Sequence, residues 1–352
     1  EVVEGIPHVP WKEVQARKED LLFALQGFQG ATVLMDERYA GLRAGTKVLY
    51  TSTHYRNLMN GVPVVRTWAG YDQVLVEAKR AVPLIQQDLP TTAVEWCQLG
   101  CTLDVDLTAP SPYPEGEERH LFFAGRVPPW SLLRLRDYLT KTDGAYHVWV
   151  ATSAIDMRVF TPGAFVPDWE PPVERLQSVG YTGPSQVYLL RCTEKTNVPK
   201  TVKADHAWTT KEEAEAAVRS VVTRGDPQLD RRFHFLGPLA FGTFWHYHHH
   251  AFASIDFGFD HDMINNNCKI IDMLRAGGRV IADGYSPTHD LIEQYDAGSI
   301  VPFADMAAAA EVLDGWGAEA STLRLERALR YRDNESWEVR LAPLLERGVF
   351  GT

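Results

Sequence analysis

The sequence predicts an α/β protein of two domains, each built on a parallel sheet. The chain has 352 residues, which is enough for two domains of ordinary size. Short apolar runs alternate with helical patterns along nearly the whole chain, as in parallel sheets that are covered by helices on both faces. A segment rich in proline and acidic residues, 108–118, interrupts this alternation and indicates a linker between the domains.

The first domain is predicted to comprise residues 1–115. Apolar residues with helical spacing predict helices over residues 12–25 and 71–86. Strands are predicted at residues 31–35, 47–51, 62–67 and 93–98. Residues 1–6 have strand character and no initiator Met precedes them, so we expect the domain's first strand and helix to be missing from this numbering.

The second domain is predicted to comprise residues 116–335, and residues 336–352 are predicted to form a helix that packs back on the first domain. Predicted strands lie at residues 120–124, 146–151, 186–192, 232–236, 253–258, 279–282 and 299–303. Predicted helices lie at residues 130–139, 210–223, 263–276, 288–295, 304–313, 319–331 and 336–346, with one more over the histidine cluster. Residues 153–185 are rich in proline and weakly periodic, which predicts an insertion.

Charge and composition exclude some classes of protein. The formal net charge of −11 argues against a surface that is covered with phosphate-binding residues, although a local basic groove stays open. No apolar run reaches about 18 residues, so no transmembrane segment is predicted. Four cysteines match no zinc or redox spacing, which favours a reduced, cytoplasmic chain.

The most informative stretch is a polar loop that opens a helix, followed by Gly277-Gly278 and a buried strand. A helix N-terminus at the carboxyl edge of a parallel sheet offers free N–H groups that suit a diphosphate. Lys269 adds a positive charge in the first turns of this helix. Asp272 lies three residues further, on the same face, and a carboxylate can accept both hydroxyls of a ribose. The same spacing also fits a surface ion pair.

Asn267-Cys-Lys-Ile-Ile-Asp-Met-Leu-Arg-Ala-Gly-Gly-Arg-Val-Ile-Ala resembles the donor-site signature of group 1 GT-B glycosyltransferases. The resemblance implies two Rossmann-like domains whose parallel sheets face an interdomain cleft, with residues 1–115 on the acceptor side. It also implies that Asn267 and Lys269 lie at the diphosphate of a nucleotide-sugar donor and that Asp272 lies at its ribose.

Four further motifs follow the family order over roughly residues 118–310. They are Phe122-Phe-Ala-Gly-Arg126, Phe233-His-Phe-Leu-Gly237, the loop from Asp283 to Asp290, and the run from Asp296 to Asp305. By this likeness Gly125, Arg126 and Ser286 join the donor-binding residues. Five elements in the right order are more specific than any one of them.

The sequence departs from the family pattern at two places. Ile264 stands where the family has the first Glu of a pair, so Asp260 or Asp262 is an alternative. Val127-Pro-Pro stands where a Lys follows the Gly-Arg strand, so Lys195 or Lys200 is an alternative there. These departures leave the sugar and the stereochemical course open.

Two residues of the first domain are candidate catalytic groups. Asp36 and His54 each follow an apolar run with strand character, and either group can take a proton from an acceptor hydroxyl. A capping Asp and a histidine satisfied by protein partners are the alternatives. His246 and His250 share a helix face, yet no acidic partner completes a zinc pattern. No metal and no cofactor is predicted, since the helix dipole and basic residues stabilise a leaving diphosphate.

The predicted function is transfer of a sugar from a nucleotide-diphosphate sugar, UDP first, to an acceptor hydroxyl. The acceptor stays open among a glycan, a lipid-linked group, a small molecule and modified DNA. One alternative is a phage-type enzyme that glycosylates hydroxymethylated bases in DNA. Others are a GT-B-fold sugar-nucleotide epimerase and a nucleotide-binding scaffold without catalysis.

Overall fold

The computed structural model describes most of the regular elements of the chain. The described residues are 2–3, 6–7, 19–26, 44–51, 68, 70–79, 81–98, 100–101, 106–116, 118–125, 129–152, 165–167, 190–192, 211–237, 239, 243–257, 268–284, 287–302 and 305–348. Among them, no helix combines the length and the apolar character that a membrane crossing needs.

A four-stranded parallel sheet occupies the first part of the chain, after a short antiparallel pair of β1 (Val2–Val3) and β2 (Ile6–Pro7). Its strands are β3 (Glu19–Gln26), β4 (Ala44–Thr51), β5 (Gln73–Val76) and β6 (Ala93–Trp96), with helix α1 (Ala81–Asp88) between the last two. They lie side by side in sequence order, and every neighbouring pair is parallel. The predicted strands at 47–51 and 93–98 are therefore confirmed.

Two helix predictions in this part are wrong. Residues 19–25, predicted as helical, belong to β3, which pairs along its length with β4. The predicted helix over 71–86 contains β5, whose four residues are all buried, and only its second half is helical. The reason is the same in both cases: a short continuous apolar run fits a fully buried strand as well as one helical face. Predicted strands 31–35 and 62–67 lie outside the described residues.

A six-stranded parallel sheet follows residue 118. The strands after the first sheet are β7 (Arg119–Ala124), β8 (Tyr146–Ala151), β9 (Phe165–Pro167), β10 (Leu190–Cys192), β11 (Phe233–Gly237), β12 (Ala253–Phe257), β13 (Val280–Asp283) and β14 (Gly298–Val301). Of these, β9 and β10 form a separate antiparallel pair, and the others are ordered β11-β8-β7-β12-β13-β14. The strands predicted in this sheet are confirmed with small shifts at their ends.

Helices cover both faces of this sheet. They are α2 (Pro129–Lys141), α3 (Lys211–Thr223), α4 (Pro227–Arg232), α5 (Thr243–His250), α6 (Cys268–Arg275), α7 (Asp290–Gln294), α8 (Met306–Gly315), α9 (Ser321–Glu335) and α10 (Trp337–Glu346). On one face Leu135 of α2, Val218 of α3 and Leu313 of α8 join a single buried cluster. On the other face Ile270 and Met273 of α6 pack with α7, α9 and β13.

The last helix contacts the first sheet. Trp337 and Leu341 of α10 pack against a cluster that contains Tyr50 and Leu75, and Cys101 and Ser336 form an isolated parallel β-bridge. The domain limits 1–115, 116–335 and 336–352 stay a prediction that agrees with one parallel sheet on either side of residues 108–116.

Candidate functional site

The second sheet contains a point at which its strand order reverses. From β7 the chain proceeds outward through β8 to β11, and from β12 it proceeds in the other direction through β13 to β14. β7 and β12 are neighbours and parallel, so the segments that follow them diverge at the carboxyl edge of the sheet. In open α/β sheets, ligands bind in the crevice at this switch point.

A cavity of about 230 Å³ lies at this point. It is lined by Ala124, Gly125, Ala151, Thr152, Leu239, Phe244, His248, Lys269 and Asp272. The ends of β7 and β8, helix α5 and helix α6 thus contribute to one site. Of the predicted donor residues, Gly125, Lys269 and Asp272 lie together in it.

Gly125 and Lys269 fit closely against each other. A Cβ atom at position 125 would lie 2.6 Å from Cε of Lys269, and Gly125 has a φ of +121°, which only glycine adopts without strain. The Gly125 N–H donates to the carbonyl of Ala151 at 3.0 Å, which fixes the end of β7. The Lys269 ammonium lies 4.8 Å from the centre of the Phe123 ring. The glycine therefore lets the lysine pass over the end of the strand.

Asp272 contacts Trp245 of helix α5 and Arg275 of its own helix, α6. The Trp245 indole N–H donates to Asp272 Oδ1 at 3.3 Å, and Arg275 Nη1 lies 3.9 Å from the same oxygen. The carboxylate keeps a third of its surface exposed, at the cavity. Burial raises its pKa, whereas Trp245 and Arg275 lower it.

The other predicted site residues lie outside the described residues. They are Asp36, His54, Arg126, Asn267 and Ser286. Arg126 directly follows Gly125 in the sequence, and Asn267 directly precedes helix α6. Their roles stay predictions.

Three of the four histidines of α5 have protein partners, and His246 Nδ1 is buried without a hydrogen-bond partner among the described residues. His248 Nδ1 lies 2.7 Å from Ser254 Oγ, His249 Nδ1 lies 2.7 Å from the Ala276 carbonyl oxygen, and His250 Nε2 lies 3.0 Å from that of Ala109. The described part of the chain contains no group of three or more side chains that could hold a metal ion.

Acid is expected to destabilise the protein through two of its histidines. Burial lowers the pKa of His248 to about 3, and burial with neighbouring positive groups lowers that of His234 to about 4. Both values lie below the ~6.5 of an unfolded chain, so unfolding takes up protons and this stability is lost as the pH falls from about 6.5 towards 4. Denaturant titrations at pH 7.5, 6 and 5 should show the loss.

His248→Gln, which keeps a hydrogen-bonding group near Ser254, should reduce the pH slope of stability by up to about 1.4 kcal/mol per pH unit in this range. An unchanged slope in this variant would contradict the assignment of His248 as a buried neutral imidazole.

Sequence analysis missed the contribution of α5 to the cavity. Phe244 and His248 are four residues apart, which places them on one helix face, and this spacing is the signal that the sequence contains. Glu77 was also missed because residues 71–86 were predicted to be helical. It directly follows β5, is 5% exposed, and burial raises its pKa to about 7.

Two buried pairs lie at the carboxyl ends of β12 and β13. Arg134 Nη1 of α2 donates to both oxygens of Asp283, at 2.9 and 2.7 Å, and both side chains are buried. His289 Nε2 lies 3.2 Å from Asp256 Oδ2, and this pair is also buried. The first pair connects α2 to β13, and the second connects the segment after β13 to β12.

The structure is similar to solved structures of glycosyltransferases. An α,α-trehalose-phosphate synthase (UDP-forming) from Burkholderia vietnamiensis has a TM-score of 0.58 and 11% identity, over 94% of this chain and 73% of that chain. HepE of Anabaena in complex with UDP and glucose has a TM-score of 0.58 and 13% identity, over 93% and 77%. A sucrose-phosphate synthase from Thermosynechococcus elongatus has a TM-score of 0.52 and 13% identity, over 88% and 69%.

No protein-family profile and no curated protein sequence matches the chain. At identities this low, structural similarity shows the fold. The chain has the GT-B fold, with parallel sheets in an α/β arrangement, and the prediction from its motifs is confirmed.

Proposed function

We propose that the chain transfers a sugar from a nucleotide-diphosphate sugar to an acceptor hydroxyl. The observation that carries the proposal is the cavity at the switch point of the second sheet, where Gly125, Lys269 and Asp272 lie together. A cation and a carboxylate on one helix face, next to a glycine that permits close approach, suit a diphosphate and a ribose. UDP is the first choice of nucleotide, supported by the complexes of the similar HepE with UDP.

The reaction breaks the bond between the anomeric carbon and the diphosphate oxygen, and the leaving diphosphate gains negative charge. In the proposed site Lys269 stabilises this charge, together with Arg126 and the N–H groups at the start of α6. Asp272 accepts hydrogen bonds from the ribose and thereby fixes the nucleotide along the helix. No metal and no cofactor is part of the proposal.

The acceptor side is proposed to lie at the carboxyl edge of the first sheet. Asp36 and His54 stay the candidates from the sequence, and we add Glu77 because it directly follows β5 at this edge. If transfer inverts the anomeric centre, one of these groups takes the proton of the acceptor hydroxyl as that oxygen attacks. A carboxyl group with a pKa of about 7 is well matched to such a role at neutral pH.

A thermal-shift screen against UDP-, GDP-, ADP- and dTDP-sugars tests the proposal. A ligand that binds the folded state raises the melting temperature, and ligand at 100 times its Kd adds about 2.7 kcal/mol of stability. We expect UDP-sugars to give the largest shift. If no nucleotide sugar raises the melting temperature at millimolar concentration, the proposed function is wrong.

A further inference from the structure

The carboxylate of Asp272 contacts two side chains, Trp245 and Arg275, that are not among the residues lining the cavity. The indole N–H of Trp245 reaches Oδ1 at 3.3 Å, and the Arg275 guanidinium lies 3.9 Å from the same atom. Trp245 itself is 4% exposed and Arg275 is 9% exposed, so both groups are fixed by packing. A single oxygen of the carboxylate therefore has both of these contacts.

Trp245 and Arg275 also contact each other. The guanidinium lies 4.1 Å from the centre of the indole ring, a stacked arrangement that stabilises both orientations. Phe244 packs beside Trp245 at 4.9 Å between ring centres and itself lines the cavity. The indole ring of Trp245 therefore contacts both Arg275 and Phe244, and Phe244 lines the cavity.

We propose that Trp245 is a positioning residue that orients Asp272 for the two hydroxyls of a ribose, so that the site selects ribonucleotides over 2′-deoxyribonucleotides. The inference rests on the proposed function, since it assigns a nucleotide to this cavity. Trp245 touches neither the nucleotide nor the reacting atoms in this proposal; it acts through Asp272.

The physical reason is geometric. A carboxylate has acceptor positions on both oxygens. A donor bound to one oxygen restricts the rotation of the carboxylate and therefore orients its remaining acceptor positions. Trp245 occupies Oδ1 and Asp272 lines the cavity, so in this proposal the remaining acceptor positions receive the pair of neighbouring hydroxyls. A 2′-deoxyribose would leave one of these positions without a donor in a partly buried site, and sites built to bind a hydroxyl reject analogues that lack it.

The test compares the affinities of UDP and 2′-deoxy-UDP by calorimetry in the wild type and in Trp245→Phe. Phenylalanine keeps an aromatic ring next to Arg275 and removes the N–H donor together with part of the indole volume, a loss of volume that the control variant shares. We expect the wild type to prefer UDP and the preference to fall about tenfold in the variant, the change that one hydrogen bond to a charged group provides. Trp316→Phe is the matched control, because Arg279 stacks on Trp316 at 4.7 Å outside the cavity lining.

The outcomes separate the inference from the proposed function. If the wild type binds UDP but binds 2′-deoxy-UDP equally well, or if Trp245→Phe weakens both ligands by the same factor, the inference is overturned and nucleotide binding stands. If the wild type binds neither ligand, both fall. Asp272→Asn, which keeps one carbonyl acceptor, provides a second variant that should also lose the preference, and an unchanged preference in it overturns the inference if Trp245→Phe does not fold.

Discussion

Lys269→Ala is expected to lower kcat/KM for the nucleotide sugar by at least about 100-fold, the usual effect of removing one group that stabilises developing negative charge. The Lys269 side chain lines the cavity at the switch point. The folded state should lose little, since a cation–π contact of this kind contributes only about 0.5–1 kcal/mol. Steady-state kinetics with UDP-sugars and a melting curve measure the two effects separately.

A second variant, Gly125→Ala, is expected to displace the side chain of Lys269 without removing it. Gly125→Ala would put a methyl group 2.6 Å from Lys269 Cε at a φ that alanine avoids, so we expect a similar loss of donor binding. Lys141→Ala is the matched control, because Lys141 is exposed in the last turn of α2. If Lys269→Ala keeps donor binding and turnover intact, the donor-site assignment is wrong.

Much of the second sheet could be predicted because its strands are short apolar runs bounded by clear turn signals. The observed Arg119–Ala124 and Tyr146–Ala151 strands are examples. The order of five motifs also predicted that Lys269 and Asp272 lie on one helix next to Gly125. The three residues line one cavity, and their roles in donor binding stay predictions.

The rest depends on packing that no local pattern encodes. Leu21 to Leu25 fits a helix or a strand equally, and pairing with β4 selects the strand. The contact of Trp245 with Asp272 joins two residues that are 27 positions apart and lie on different helices. Nothing in the spacing of either residue indicates the other, so the support for Asp272 could be found only from the folded structure.

Arg134→Met is expected to lower the free energy of unfolding by about 3–5 kcal/mol, the typical cost of removing one partner of a buried ion pair. The arginine donates to both oxygens of Asp283, whose side chain has no exposed surface. Methionine occupies a similar volume without charge, so the effect reports the lost pairing. Urea denaturation measures it, and Arg219→Met is the control, because the bridges of Arg219 to Glu215 and Asp230 are partly exposed and should contribute about 1 kcal/mol or less.

The double variant Arg134→Met with Asp283→Leu distinguishes a lost pair from lost packing. Removing both charges leaves no buried carboxylate to desolvate, and well-packed apolar replacements of buried pairs are often neutral. We therefore expect the double variant to be more stable than Arg134→Met alone by about 2 kcal/mol or more, the size of coupling that residues in direct contact show. A double variant as unstable as the sum of the two single variants would mean that the two side chains stabilise the fold independently. In that case the ion pair would not be what holds α2 against the end of β13.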